Sequence, residues 1–133
     1  MQYSFEDAVE GILSRHSEYP SEAYAFMRQA LEVASDHFHK TEDEPHLSAE
    51  ELYLGTCAHA LEEYGPLARL ILSRWGIQSS SDIGAIVYNL IEAGVFGRQE
   101  GDTREQFDKL RSLGEILDAP YESPDTPLPD TAP

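Results

Sequence analysis

Three groupings in this 133-residue chain carry side chains that can do chemistry: Cys57 with His59, His59 with Glu62 and Glu63, and His37, His39 and His46 beside Glu42, Asp43 and Glu44. A Cys–His pair within hydrogen-bond reach makes a nucleophile and its base. Side chains two residues apart on a helix diverge by about 200°. Cys57 and His59 therefore point apart, and Cys57 reads as a small buried hydrophobe. His37 and His39 diverge in the same way, so they cannot chelate one ion together, and no metal site is expected. His59 precedes its glutamates, which is not the H-E-x-x-H order of a zinc protease. No phosphate-binding loop, dinucleotide fingerprint or G-x-S-x-G elbow occurs, and no cofactor is expected. Carboxylates are too abundant in so acidic a chain for any pair to indicate hydrolase chemistry. An enzyme built here needs a cleft that gathers His59 or His16, Tyr53 and carboxylates.

Recognition is the other chemistry. Trp75, Tyr88 and Asn89 are the candidate binding residues for a protein surface. Trp and Tyr supply much of the energy of protein interfaces, and Tyr88 and Asn89 flank an aliphatic stripe. The alternative is that Trp75 belongs to the core and Asn89 caps a backbone group.

The elements that position these residues are helices. Ser4 with Asp7 caps the first, whose Phe5, Val9, Ile12 and Leu13 share one face. Tyr19-Pro20 ends that run, because the residue before proline avoids the α region. A long second helix starts near Ser21. Its Tyr24, Met27, Leu31, Ala34 and Phe38 repeat at three and four residues, a narrow packing seam widened by Phe26, Ala30 and Val33. This spacing predicts core, not a cofactor box. Thr41 to His46 is a solvated acidic loop. Ser48 and Glu51 form a capping box, with Leu47 and Leu52 as its staple, and Tyr53, Cys57, Ala60, Leu61 and Tyr64 face inward. Gly65-Pro66 stops that helix. A fourth helix carries Leu67, Leu70, Ile71 and Leu72 and ends at Gly76, with Ile77 returning onto Leu72. Ser79 or Ser80 caps a fifth, faced by Ile83, Ile86, Val87, Leu90 and Ile91. Gly94 with Val95 repeats the glycine ending. Thr103 with Gln106 caps a short last helix docked by Phe107 and Leu110, with Leu113 or Leu117. The tail from Pro120 on holds five of the eight prolines and cannot build a core. The expectation is a mainly α, compact bundle of five to six helices over residues 1–119, followed by a disordered acidic tail at 120–133.

The formal net charge is −16. Residues 1–63 hold 14 acidic and 3 basic side chains, residues 64–97 balance, and residues 98–133 hold 9 acidic and 4 basic. Acidic ends thus flank a neutral, apolar middle. That distribution favours solubility and steers a basic partner. No apolar run approaches the ~20 residues of a membrane-spanning helix, and no secretory leader is read at the N-terminus. One cysteine excludes an intrachain disulfide framework. A cytoplasmic protein is expected.

The stretch from Leu70 to Phe107 has the outline of a degenerate winged helix-turn-helix, with a wing at Arg98 to Glu105. DNA binding needs Lys and Arg against phosphate. The segment that would read DNA, Ser79 to Ala93, contains neither. Nucleic acid is therefore not the expected partner, although such a shape can serve protein contact.

His46-Leu47-Ser48 with Glu51-Leu52, Tyr64-Gly65-Pro66, Trp75-Gly76-Ile77, Asp82-Ile83-Gly84 and Ile86-Val87-Tyr88-Asn89-Leu90 carry a family likeness that extends from Phe107 onward. Across residues 5–119 the chain resembles the Minf-type hypothetical proteins, a small bacterial family of planctomycetes and verrucomicrobia. It departs from that pattern at Tyr88, where the family has Phe, and over Arg111 to Gly114. The resemblance implies one intact domain, and it supplies neither an activity nor a site. The functional expectation is a non-enzymatic interaction or regulatory module that meets a basic protein, with homo-oligomerisation open.

Overall fold

Three reciprocal caps fix where helices begin. Ser4 Oγ accepts the Asp7 N–H at 3.1 Å, and Asp7 Oδ2 accepts the Ser4 N–H at 3.4 Å. Ser48 and Glu51 exchange the same pair of bonds at 3.0 Å each. Ser79 and Asp82 do so at 3.4 and 3.2 Å. These caps satisfy amides that a helix start leaves without partners. Bonding to Ser48 first, and to Lys40 second, holds the Glu51 carboxyl below its ordinary range. Lys40 Nζ lies 3.1 Å from Glu51 and ties the preceding loop to this helix. Ser48→Ala is expected to lower the unfolding free energy by about 1 kcal/mol. A urea titration reads that loss, and an unchanged midpoint would contradict the cap.

The structure, a computed structural model, describes residues 4–38, 40, 41, 43, 47–95 and 104–121. Among them are α1 (Phe5–Arg15), α2 (Ser21–His37), α3 (Ala49–Tyr64), α4 (Ala68–Arg74), α5 (Ser80–Glu92) and α6 (Leu113–Asp118). Short 3-10 turns cover Gly65–Leu67, Arg104–Phe107 and Ala119–Tyr121. The described residues contain no strand, and no helix is long and apolar enough to cross a membrane. The fold is a mainly α bundle, as the periodicity predicts.

The two glycine endings form as expected. The Ile77 N–H reaches the Leu72 carbonyl at 2.9 Å and the Gly76 N–H reaches Ser73 at 2.9 Å. Val95 and Gly94 repeat this on Leu90 and Ile91 at 2.9 and 3.0 Å. Both glycines sit in the left-handed region, at φ 86° and 81°, which a Cβ disfavours.

At the centre is α2, which packs lengthwise on α3 and also meets α1 and α5. On its outer side α3 carries α4 and α6. Ala23, Tyr24, Phe26, Met27, Ala30 and Ala34 of α2 are buried, while Leu31 and Phe38 are only half-buried. The buried face is therefore rotated from the 24–27–31–34–38 seam toward Ala30. Gly55 marks where α2 and α3 come closest. A Cβ at Gly55 would stand 2.4 Å from the Ala34 Cβ and 2.7 Å from its Cα. The α2 and α3 backbones meet at this pair of small residues, and the helices turn their small faces together.

Two further expectations change. Leu67 and Leu70 of the fourth helix are 57% and 55% exposed. Ala68 and Leu72, one turn apart, take the inward face of this short helix instead. The last helix is also divided. Phe107 is buried on the Arg104–Phe107 turn, and α6 starts only at Leu113, where Ser112 Oγ accepts the Glu115 N–H at 3.4 Å. Gly84 makes room for the Phe107 side chain, whose Cβ lies 2.7 Å from where a Cβ at Gly84 would stand. The Ser80 hydroxyl donates to the Phe107 carbonyl and fixes the turn on α5. Pro120 and Tyr121 continue the fold as a turn; the rest of the tail, Thr103 and most of the expected wing lie outside the described residues. The expected helix-turn-helix pair does not pack chiefly on itself. α4 rests on α3 and α6, and α5 on α1, α2, α3 and the Arg104–Phe107 turn.

Candidate functional site

The cap at Ser4 starts α1 at Phe5, and Val9 and Ile12 anchor that helix in the core. Phe5 and Leu13 lie on the same side but stay half-buried, because α2 covers only one edge of them. Across from them α2 presents Ser21, Ala25, Arg28, Gln29 and Glu32. The two helices leave a groove of about 690 Å³ between them. Its floor is apolar: Phe5, Val9, Leu13 and Ala25. Its α1 wall carries Glu6 and Glu10, and its α2 wall carries Glu22 and Glu32. Among the described residues none of these four carboxylates is paired with a cation. Arg28 is the one basic side chain in the lining, and its Cζ stands 4.7 Å from the centroid of the Phe5 ring.

Leu13 also opens onto a second, shallower depression. It is lined by Ser17 to Pro20 on one side and by Ser73 to Gly76 on the other. The Tyr19 hydroxyl donates to Asp82 Oδ1 at 2.7 Å and clamps the α1–α2 loop to the start of α5. Gly76 lets this loop come close: a Cβ there would meet the Glu18 carbonyl at 3.2 Å. Leu13 is the one residue that lines both depressions.

Of the three residues expected to face a partner, only Trp75 lines either depression, the second one. Its ring also packs on Phe26 at 5.5 Å and on Tyr64 at 6.0 Å between centroids. Asn89 instead donates to the Tyr24 hydroxyl at 3.1 Å. Burial holds that phenol above its ordinary pKa, and the Asn89 bond partly offsets the rise. Tyr24 and Phe26 are two apart on α2 and leave it on opposite sides. The structure thus separates Trp75 from Asn89 and from its neighbour Tyr88, which is half-buried on α5.

The residues of the catalytic alternative lie outside both depressions. His59 is buried, stacked on Phe26 at 4.9 Å, with Nε2 3.2 Å from Gln29 Oε1. Its Nδ1 is buried without a hydrogen-bond partner among the described residues. His16 caps the end of α1, its N–H on the Ile12 carbonyl at 2.7 Å. The Tyr53 hydroxyl donates to the Arg111 carbonyl at 2.6 Å, and burial pushes its pKa up. Cys57 is buried, as its helical position predicts, and desolvation pushes its thiol up to about 12. None of the four lines either depression. Among the described residues no three His, Cys, Asp or Glu side chains converge as metal ligands, and His39 and His46 lie outside those residues. At neutral pH Cys57 is expected to react with a thiol-disulfide reagent only as fast as the protein opens, since the thiolate is the reactive form. Rapid stoichiometric labelling of the folded protein would contradict this.

No family model, curated protein or solved structure matches this chain. The groove therefore has to be read from its own chemistry. The sequence signal that could have found it is faint. Phe5, Val9 and Leu13 are spaced by four on α1, with Glu6 and Glu10 one residue on, and Ser21, Ala25, Arg28 and Glu32 fall on one side of α2. Each strip looks like an ordinary amphipathic boundary until the two helices stand side by side.

Proposed function

We propose that this chain is a non-enzymatic interaction module that holds a basic, amphipathic segment of a partner protein in the groove between α1 and α2. The observation that carries the reading is the pairing of an apolar floor with carboxylates on both walls. Apolar side chains of the segment fill the space over Phe5, Val9, Leu13 and Ala25. Its Lys or Arg side chains meet Glu6, Glu10, Glu22 and Glu32, which have no cation of their own among the described residues. Four unpaired like charges along one groove do not help folding, since neighbours at i and i+4 such as Glu6 and Glu10 repel. They do raise the rate and selectivity of capture of a basic partner. The net charge of −16 extends that attraction beyond the groove and opposes nucleic acid. Trp75, which lines the second depression, gives an aromatic anchor to a segment long enough to pass Leu13. Tyr88 and Asn89 remain candidates for a separate contact on α5. A cytoplasmic setting, and membership of the Minf-type bacterial family on the Trp75-Gly76-Ile77 and Asp82 to Leu90 blocks, belong to the same proposal.

The test is fluorescence anisotropy with three labelled peptides: a basic amphipathic one with leucines at helical spacing, its scrambled form, and its glutamate counterpart. The first is expected to bind, and to weaken as salt shortens the screening length from ~30 to ~10 Å. The scramble binds less and the acidic peptide not at all. Equal binding of the basic peptide and its scramble would overturn the apolar floor as a determinant. No binding of either at low salt would overturn the reading as a whole.

A further inference from the structure

We propose that Arg28 is a built-in competitor for the groove: its guanidinium occupies, over the Phe5 ring, the place that an arginine of the partner takes. This rests on the groove being the docking site. The Arg28 Cζ is 4.7 Å from the Phe5 centroid, within the range of a cation–π contact. Arg28 makes no ion pair with any described residue, although four glutamates line the same groove. Its side chain therefore rests on the aromatic face and not on a carboxylate. A guanidinium is planar and weakly hydrated, which suits it to stacking. Phe5 is the one aromatic ring in this lining, so the groove offers one such seat.

An incoming basic segment meets two consequences. The seat is filled, and the filling group carries the same charge as the ligand. Arg28 is exposed on α2 and can swing away, but the contact with Phe5 must first be given up. Discrimination follows. A segment with an arginine placed to stack on Phe5 recovers the lost contact, whereas a segment with only apolar residues there does not. Arg28 thereby raises the threshold for any segment that takes this seat, and only a segment that brings an arginine regains the contact from the Phe5 ring.

The experiment titrates the amphipathic arginine peptide onto wild type, Arg28→Ala, Arg28→Lys and Phe5→Leu, and onto the double variant Phe5→Leu with Arg28→Ala, with circular dichroism confirming helix content. Arg28→Ala is expected to tighten binding about fivefold, the factor that an exposed cation–π contact represents. Arg28→Lys keeps the charge without the planar stack and falls between. In the Phe5→Leu background, which keeps apolar volume but removes the π face, most of the gain disappears. If wild type binds but Arg28→Ala leaves affinity unchanged or weakens it, the competitor idea is wrong and the groove stands. If wild type does not bind the peptide at low salt, the groove reading itself has failed.

Discussion

Gly55→Ala is expected to destabilise the fold by about 3 kcal/mol, although the same change in an open helix is favourable. An alanine in a helix interior is better than glycine by up to ~1 kcal/mol. At Gly55 the added Cβ would lie 2.4 Å from the Ala34 Cβ and 2.7 Å from the Ala34 Cα. Neither atom can turn aside, because one is main chain and the other has no rotamer. The α2 and α3 backbones must separate, and the strain of overpacking exceeds the gain in propensity. Gly11 in α1 provides the control. Its nearest neighbour is the flexible end of Arg15, at 3.8 Å, so Gly11→Ala is expected to stabilise by about 0.5–1 kcal/mol. Urea unfolding of the pair measures both signs. A Gly55→Ala protein as stable as the parent would mean that α2 and α3 do not meet at Ala34.

The double variant Glu10→Lys with Glu22→Lys is expected to bind the basic peptide about thirtyfold more weakly or worse, mostly through slower association. Exposed charge pairs contribute modestly one at a time. A double reversal removes two attractions and adds two repulsions, on opposite walls of one groove. The fold should not suffer. Both residues are exposed, and Glu10→Lys, one turn after Glu6, converts a repulsive i, i+4 pair into an attractive one. Glu22→Lys gives back that gain, because Glu22 stands in the first turn of α2 where a carboxylate favours the helix dipole, so stability is expected to stay within about 1 kcal/mol while binding falls. That separates a role in recognition from one in holding α1 in place. Stopped-flow association rates with thermal melts on the same samples provide both readings. Unchanged association would remove these glutamates from the site.

What could be read in advance is local. The caps at Ser4, Ser48 and Ser79 and the glycine endings at Gly76 and Gly94 depend on residues three to five apart, and all form. The aliphatic face of α5 is equally legible, since Ile83, Ile86, Val87 and Leu90 keep one period within a thirteen-residue helix. The close approach of α2 and α3 was not legible, because it depends on Gly55 meeting Ala34, far along the chain. Leu67 and Leu70 mislead for a related reason: Leu67 falls on the turn before α4, and α4 is only seven residues long, too short a stripe to tell which edge α3 and α6 cover. Trp75, Tyr88 and Asn89 are partly exposed, as their types suggest. Which side of α2 each one meets depends on packing distant in sequence. The groove is invisible for the same reason, since its walls belong to separate helices.

Capture of a basic amphipathic segment between α1 and α2 is tested most directly by an amide chemical-shift titration of the uniformly labelled protein. Adding the arginine peptide at low salt is expected to move amides from Phe5 to Leu13 and from Ser21 to Glu32. The Trp75 indole should follow when the peptide is long enough to pass Leu13. Shifts confined to α3, α4 and α6, around exposed Leu67 and Leu70, or no shifts at all, would contradict the account.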